Sequence, residues 1–392
     1  MSKKLLMNNG GINNRLKVKY ITTRPEFMNT FNDDFVYETK TIDNYDGTYT
    51  IEVYSDDDFT SIEFGSNCYA ITSIEYLAIT NKVTSMGSLF YGCEELVSIE
   101  GMDKWDTSNV TDMSSMFRRC SKLETLDGLG SWDTSNVTDM KYMFKDCGAL
   151  VSLKGIENWN VSKVKYMTDM FNSCIKLTTE GLGNISKWTV NLSVSGSNRI
   201  FKNCYALTSL DLSGWGFGYQ IIETFYCCNN LKSVDLTNCT FRLLSGTTAT
   251  KTFYACSSLT EIRGMNKFSP NRLDYTFYEC KSLTSLDFIS SWKGGYITTL
   301  EETFKGCTSL TSLDLSNFNT SKVARIGGMF KDCTGLTSLN ISSFDTNKVV
   351  YTDNMLYNVP TNVDWHYDGT NYANFTLTEE GTGYSGTFPW NE

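Results

Sequence analysis

Apolar residues recur along most of the chain in a block that repeats every 24 to 30 residues. Ten copies share the spacing Phe-x-x-Cys: Phe90/Cys93, Phe117/Cys120, Phe144/Cys147, Phe171/Cys174, Phe201/Cys204, Phe225/Cys228, Phe253/Cys256, Phe277/Cys280, Phe304/Cys307 and Phe330/Cys333. A repeat of this length is typical of a solenoid, in which each unit packs only on its neighbours. Weaker copies at 68–74 and 356–359 suit the capping units of such an array.

Two hydrophobic patterns alternate within each block. The first places apolar side chains at i, i+3, i+4 and i+7, as in Met113, Met116, Phe117 and Cys120. This spacing predicts a short helix, with Asp112 or its equivalent Asp139 at its N-terminus. The second is Leu-x-x-Leu followed by strict alternation, as in Leu313-Asp314-Leu315, which predicts a short strand. Each unit is therefore predicted to contain a strand, a turn, an extended segment and a short helix.

These patterns predict an α/β solenoid, right-handed, of about eleven rungs. We assign residues 61–359 to it, residues 1–60 to an N-terminal β module, and residues 360–392 to a C-terminal cap. Residues 16–21 alternate like a strand, and residues 35–42 and 48–54 look like a hairpin around Asn44-Tyr45-Asp46-Gly47. The N-terminal module is expected to shield the first rung or to attach the solenoid to something larger. The aromatic-rich tail is expected to cover the last one.

Composition narrows the classes of function. The net charge of −10 argues against free nucleic acid as a partner, because that partner requires clustered Lys and Arg. No apolar run approaches the length of a membrane span. The N-terminal apolar stretch of Leu5-Leu6-Met7 is too short for a secretion signal, so export by a standard route is not expected.

Catalytic chemistry is not expected from this sequence. The single histidine, His366, cannot supply histidine-dependent triads or histidine-rich metal sites. The sequence has no phosphate-binding loop and no Cys-x-x-Cys. We therefore predict a non-enzymatic protein with no catalytic residues, no metal and no cofactor.

The thirteen cysteines admit two interpretations. They could form disulfides or bind metal, or they could be reduced, buried thiols that pack as small apolar side chains. Parallel side chains on neighbouring rungs keep their Cβ atoms farther apart than a disulfide requires, which favours buried thiols. Cys227 and Cys239 fall outside the column and are expected to be free.

The residue after the second strand leucine forms the first candidate binding column. It comprises Glu100, Asp127, Lys154, Asp211, Asp235, Arg263, Asp287, Asp314 and Asn340. In a strand this residue points outward, on the concave sheet, and like charges on adjacent strands repel. Asp211, Asp235, Asp287 and Asp314 are therefore candidates for binding a basic or cation-bearing partner. The alternative is a solvated polar column in which Lys154 and Arg263 relieve the repulsion.

The residue after each repeat phenylalanine forms the second candidate column. Three consecutive copies carry tyrosine here: Tyr226, Tyr254 and Tyr278. Tyrosine offers a large contact area at low ordering cost, so this file could bind a glycan or a protein. The alternative is a half-exposed position where Tyr and Lys lay their side chains over the core.

The repeated strings Met-Phe-x-x-Cys-x-x-Leu-x-Ser-Leu and Trp-Asp-Thr-Ser-Asn-Val-Thr-Asp-Met resemble those of the BspA-like leucine-rich-repeat family. The resemblance covers roughly residues 61–359. It implies a leucine-rich-repeat solenoid in a bacterial cell-surface adhesin, or in a bacteriophage structural protein. Because no export signal is visible, the first expectation is a virion-associated tail or fibre component that binds a protein, a cell-surface glycan or other virion proteins. The alternatives are a bacterial surface adhesin and a purely architectural spacer.

Overall fold

The computed structural model of the protein describes residues 16–25, 37–193, 196–241, 247–292 and 297–366. An antiparallel sheet comes first along this part of the chain, and a stack of coils follows it. No helix within the described ranges is long and apolar enough to cross a membrane.

Antiparallel strands from the N-terminal module cover the first edge of the solenoid. They are β1 (Leu16–Thr22), β2 (Glu38–Asp43) and β3 (Tyr49–Tyr54), and the first solenoid strands are β4 (Ile71–Leu77) and β5 (Ser98–Ile99). The sheet order is β2-β3-β1-β4-β5, with β1 antiparallel to both β3 and β4. β1 thus pairs with the edge of β4 that no coil of the solenoid occupies, which fits the shielding role expected of this module.

The predicted N-terminal hairpin is confirmed. β2 and β3 pair in register from Glu38 opposite Tyr54 to Asp43 opposite Tyr49. The turn between them contains two left-handed residues, Tyr45 at φ 59° and Gly47 at φ 87°. The sheet runs across the proposed domain boundary at residue 60, because β1 belongs to one side and β4 to the other.

Short parallel strands join successive coils. These strands are β6 (Ser209–Asp211), β7 (Gly216–Phe217), β8 (Ser233–Asp235), β9 (Thr240–Phe241), β10 (Thr247–Thr248), β11 (Glu261–Arg263), β12 (Pro270–Arg272), β13 (Ser312–Asp314), β14 (Ser338–Asn340) and β15 (Asp364–His366). Their sheets are β6-β8-β11, β13-β14-β15, β7-β9 and β10-β12. Leu210, Val234 and Ile262 pair in register, so equivalent leucine positions stack directly. In these coils the predicted strand is therefore one strand of a parallel sheet.

Helical segments are few and short in the described chain. One α-helix, α1 (Thr179–Leu182), takes the place of a strand in its coil. The 3₁₀ helices are Gly65–Ala70, Met102–Lys104, Leu129–Ser131, Ile156–Asn158, Ile185–Lys187, Met265–Lys267 and Asp287–Ser291. The architecture is a β-solenoid of about eleven turns, which confirms the predicted repeat fold.

The repeat phenylalanines form one continuous internal file. Their rings stack from Phe64 to Phe330, with neighbouring centroids 5.1–6.0 Å apart. Phe117 lies 5.5 Å from Phe144, and Phe144 lies 5.7 Å from Phe171. Equivalent side chains therefore occupy neighbouring turns of one core, as the repeat spacing predicts.

The predicted short helix in each unit is wrong. Ser115 and Arg119 have left-handed φ values of 56° and 66°, which a right-handed helix does not accommodate. The N–H groups of Ser115 and Phe117 donate to carbonyls of the next coil, at 2.7 and 2.8 Å. This segment is instead a run of turns joined sideways to its neighbour. Asp112 accepts a bond from the N–H of Ser114, two residues on, and so forms a turn there rather than capping a helix.

Buried polar atoms inside the coils bond from rung to rung. The thiol of Cys147 donates to the carbonyl of Phe117 at 2.9 Å. The same bond recurs for Cys120, Cys174, Cys204, Cys228, Cys256, Cys280, Cys307 and Cys333. All thirteen cysteines are free thiols, and Cys227 is half-buried outside the column. The column therefore consists of small buried side chains that also tie neighbouring coils together.

The proposed C-terminal cap begins with one more coil strand. β15 pairs in parallel with β14, with Trp365 opposite Leu339. The solenoid thus continues past the predicted boundary at residue 359, because Trp365 takes the place of a strand leucine. The remainder of the proposed cap, 367–392, lies outside the described residues.

Candidate functional site

The first candidate column lies on the face formed by the parallel strands, called here the strand face. Asp211 is directly opposite Asp235, and Asp235 is directly opposite Arg263. Farther along, Asp314 is opposite Asn340. The predicted register is therefore present, with Asp211 and Asp314 exposed and Asp235 half-buried.

Three carboxylates of this column are held by their own backbone. The Oδ1 atoms of Asp211, Asp235 and Asp314 accept the N–H two residues on, at 3.0, 2.8 and 2.9 Å. Asn340 makes the same bond at 3.1 Å. This bond turns the chain at the end of each strand, which is the usual reason for Asp or Asn at such a position. Each of these three aspartates therefore has a structural role and also presents a second, oriented oxygen.

Asp287 does not share this arrangement. It begins the 3₁₀ helix Asp287–Ser291, and its carboxylate accepts a hydrogen bond from the hydroxyl of Ser285. The structure thus places three of the four predicted aspartates in equivalent positions and the fourth in a different local fold.

Arg263 relieves the acidity of the column only in part. It lies opposite Asp235 in the ladder, as expected, but its ion pair is with Glu261 on its own strand, at 2.6 Å. The ladder position of Arg263 therefore does not give Asp235 an ion pair.

The tyrosine file is confirmed as a stack. Tyr226 and Tyr254 have centroids 4.6 Å apart and planes at 7°, and Tyr254 and Tyr278 are 4.4 Å apart at 1°. The ammonium groups of Lys202 and Lys305 lie over the two ends, 4.5 and 5.1 Å from the terminal rings. Burial is the main cause that raises the pKa of Tyr226 and of Tyr254.

This packing changes what the tyrosines can bind. Both faces of Tyr254 are covered by its neighbours, and the outer faces of Tyr226 and Tyr278 are covered by lysines. A sugar that stacks on an aromatic face therefore has no free face here. The file presents ring edges and hydroxyl groups, and each stacked pair contributes to stability.

A related cluster was missed by the sequence reasoning. The guanidinium of Arg118 lies between two tyrosine rings, 5.4 Å from the centroid of Tyr91 and 5.3 Å from that of Tyr142. Arg118 follows Phe117 and Tyr142 precedes Phe144 by two positions, so the repeat spacing places them in different columns. The left-handed backbone at Tyr142, φ 59°, turns that segment and accompanies this contact.

Comparison with protein families identifies the chain. Residues 78–152, 124–237 and 247–368 match the family described as "Mycoplasma protein of unknown function, DUF285". The chain belongs to the DUF285 family. No curated protein matches it.

Solved structures similar to this DUF285 chain include two bacterial repeat proteins. A leucine-rich repeat protein from Bacteroides ovatus is 15% identical, covers 93% of this chain and 100% of its own, and has a TM-score of 0.36. A leucine rich cell surface protein from Faecalibacterium prausnitzii is 17% identical, with 89% and 90% coverage and a TM-score of 0.32.

Across the described ranges, no group of three His, Cys, Asp or Glu is arranged to hold a metal ion. His366, expected in the cap, lies instead on β15, in line with Asp314 and Asn340. This register makes His366 part of the strand face. Its Nε2 atom is 3.9 Å from Oδ2 of Asp364.

Proposed function

We propose that this protein is a non-enzymatic binding protein of a bacterial cell surface, whose strand face binds a positively charged partner. The observation that carries the proposal is the row of oriented carboxylates at Asp211, Asp235 and Asp314. Backbone bonds fix one oxygen of each, so the second is directed without further ordering. A preorganised surface loses less entropy on binding than a mobile one.

The cell-surface location rests on the resemblance to BspA-like repeats. The virion-associated role expected from the N-terminal sequence has no support from the fold or from the family match. A purely architectural spacer is the second candidate, favoured by the structural role of the same aspartates. The binding protein and the spacer differ in one respect: a spacer needs the turns that the aspartates form, but it does not need their negative charge.

Replacing aspartate by asparagine separates these roles. Asn340 shows that asparagine makes the same turn bond, so D211N/D235N/D314N removes three charges and keeps the turns. A matched control is D106N/D133N/D345N, since these aspartates make equivalent bonds elsewhere, to the N–H groups of residues 108, 135 and 347. Asn160 and Asn319 occupy that second column naturally.

The test measures binding of an octalysine peptide to the full chain at low and physiological ionic strength. We expect the strand-face triple variant to bind several-fold more weakly than the control variant, and the difference to shrink as salt screens it. Equal affinities of the two variants would remove the proposed role of the strand face. Antibody labelling of intact cells of the native organism tests the location separately.

A further inference from the structure

Arg118 is a preorganised cation with unused donors. Tyr91 and Tyr142 hold its guanidinium from two neighbouring coils. The buried Nε atom of Arg118 has no hydrogen-bond partner in the described chain. A guanidinium offers five N–H donors in one plane. Because Nε is enclosed, the donors left for a ligand at the edge of Arg118 are those of its two terminal nitrogens.

Arg119 adds a second positive charge beside it. Its side chain is exposed, and its left-handed backbone at φ 66° turns the chain at this point. Asp146 occupies the equivalent position of the next coil, yet no ion pair joins the two within the described residues. Lys145, on that coil, pairs with Asp169 at 3.5 Å.

Four other arginines of the described chain are engaged by acids. These ion pairs are Arg199–Asp169, Arg263–Glu261, Arg272–Asp274 and Arg325–Glu301. Arg325 also lies over a ring, 4.5 Å from the centroid of Tyr351, but its guanidinium bonds to both carboxylate oxygens of Glu301. Arg325 is thus a counterpart of Arg118: both guanidiniums contact a tyrosine ring, and at Arg325 the carboxylate of Glu301 bonds to the edge of the guanidinium.

We propose that Arg118 and Arg119 form a binding site for a sulfate or phosphate group. Arg325 shows that a guanidinium over a tyrosine ring can still bond an oxyanion at its edge, there Glu301. Two guanidiniums on consecutive residues, neither of them in an ion pair among the described residues, supply more charge and more donors than a single carboxylate uses, which favours a tetrahedral oxyanion. The site does not involve the strand face, so it stands apart from the proposed cationic partner.

The first experiment measures binding of dextran sulfate to the full chain, with neutral dextran as the blank. We expect R118Q/R119Q to weaken binding roughly tenfold or more, because charged hydrogen bonds are lost. R118K keeps the charge but loses the planar donor set, so it should weaken binding as well. The matched control is R272Q/R325Q, which removes two ion-paired arginines and should change the affinity little. An equal loss in the control would show diffuse attraction only and overturn the site.

Two further arms use the unaltered protein and so do not depend on the folding of a variant. Sodium sulfate should displace dextran sulfate more effectively than sodium chloride at the same ionic strength, since the site recognises the group and not only charge. Equal displacement by the two salts would overturn the proposal. Binding of polyglutamate as tight as that of dextran sulfate would overturn the choice of a tetrahedral oxyanion, because carboxylates would then be sufficient.

Discussion

Two tryptophans of the internal stack differ in one hydrogen bond, and this difference is measurable. The indole N–H of Trp159 donates to the carbonyl of Leu129 at 2.8 Å. The indole N–H of Trp105 is buried without a partner in the described chain. Both rings stack on Trp132, at 6.0 and 5.6 Å, and they are 4% and 5% exposed. The two sites are therefore alike in burial and in their contact with Trp132, and each ring has a second stacked neighbour, Trp188 for Trp159 and Phe90 for Trp105.

Replacing each tryptophan by phenylalanine removes the same atoms at both sites. The loss of apolar contact should therefore be similar and should cancel in the comparison. W159F removes one of two hydrogen bonds to the carbonyl of Leu129, which still accepts from the backbone N–H of Trp132 at 3.3 Å. The loss is therefore the net value of one hydrogen bond, about 0.5–1.5 kcal/mol. W105F removes a donor that was already unpaired. We expect W159F to be less stable than W105F by about 0.5–1.5 kcal/mol.

The assay is urea-induced unfolding followed by far-ultraviolet circular dichroism, with the slope of the transition checked in each variant. W132F is the positive control, because its N–H donates to the carbonyl of Met102 at 3.0 Å, and it should behave like W159F. Equal losses in W159F and W105F, or a greater loss in W105F, would show that rung-to-rung indole bonds add nothing measurable.

Three further predictions concern the strand-face turns, the tyrosine stack and the thiol column. Asp235→Ala should lower the unfolding free energy by about 1 kcal/mol while Asp235→Asn leaves it nearly unchanged, as judged by denaturant midpoints. Tyr254→Leu breaks two stacked pairs and should cost about 1–2 kcal/mol in thermal unfolding, whereas Tyr205→Leu, at an exposed ring, should cost less than about 0.5 kcal/mol. Burial raises the pKa of Cys228 and of Cys333 to about 12. Their contribution to stability is complete below the unfolded thiol pKa of about 8.5 and is lost as pH rises toward 12, by about 2 kcal/mol each at pH 10. The double Cys→Ala variant should therefore lose less stability than the native chain between pH 7.5 and pH 10, and an identical loss would contradict this assignment.

The stacking of equivalent residues could be predicted from the sequence because it depends only on the repeat. A spacing of 27 residues places Phe117, Phe144 and Phe171 in one file whatever the path of the chain between them. The same holds for the tyrosine file and for the aspartate column. Their contacts follow from translation by one coil, and the structure contains both aromatic files and the aspartate column except at Asp287.

The path within one coil could not be predicted from hydrophobic spacing. The positions of Met113, Met116, Phe117 and Cys120 fit one face of a helix, but they fit a run of turns equally well. A signal was nevertheless present at the position just before the repeat cysteine. Gly92 and Gly306 occur there with φ values of 78° and 75°, and glycine is the residue that tolerates such values best. Arg119 adopts the same conformation without being glycine, which hides the signal in its own copy.

The cluster at Arg118 joins two different columns, the position after one repeat phenylalanine and the position two before the next. The repeat spacing aligns residues only within a column, so it does not predict the contact between Arg118 and Tyr142. Turns with left-handed residues bring these two positions together across neighbouring coils. Contacts that depend on the backbone path, unlike those within a column, therefore required the structure.

The most regular part of the sequence is accounted for by the fold itself. In the string that begins at Trp105, the hydroxyl of Thr107 donates to the carbonyl of Asp133, and the amide of Asn109 donates to that of Asn81. The aspartates at 106 and 112 hold turns. Because these repeated polar residues have partners in their own or a neighbouring coil, repetition alone does not indicate binding. Specific recognition is better sought where a copy departs from the pattern, and Arg118 with Arg119 is such a place.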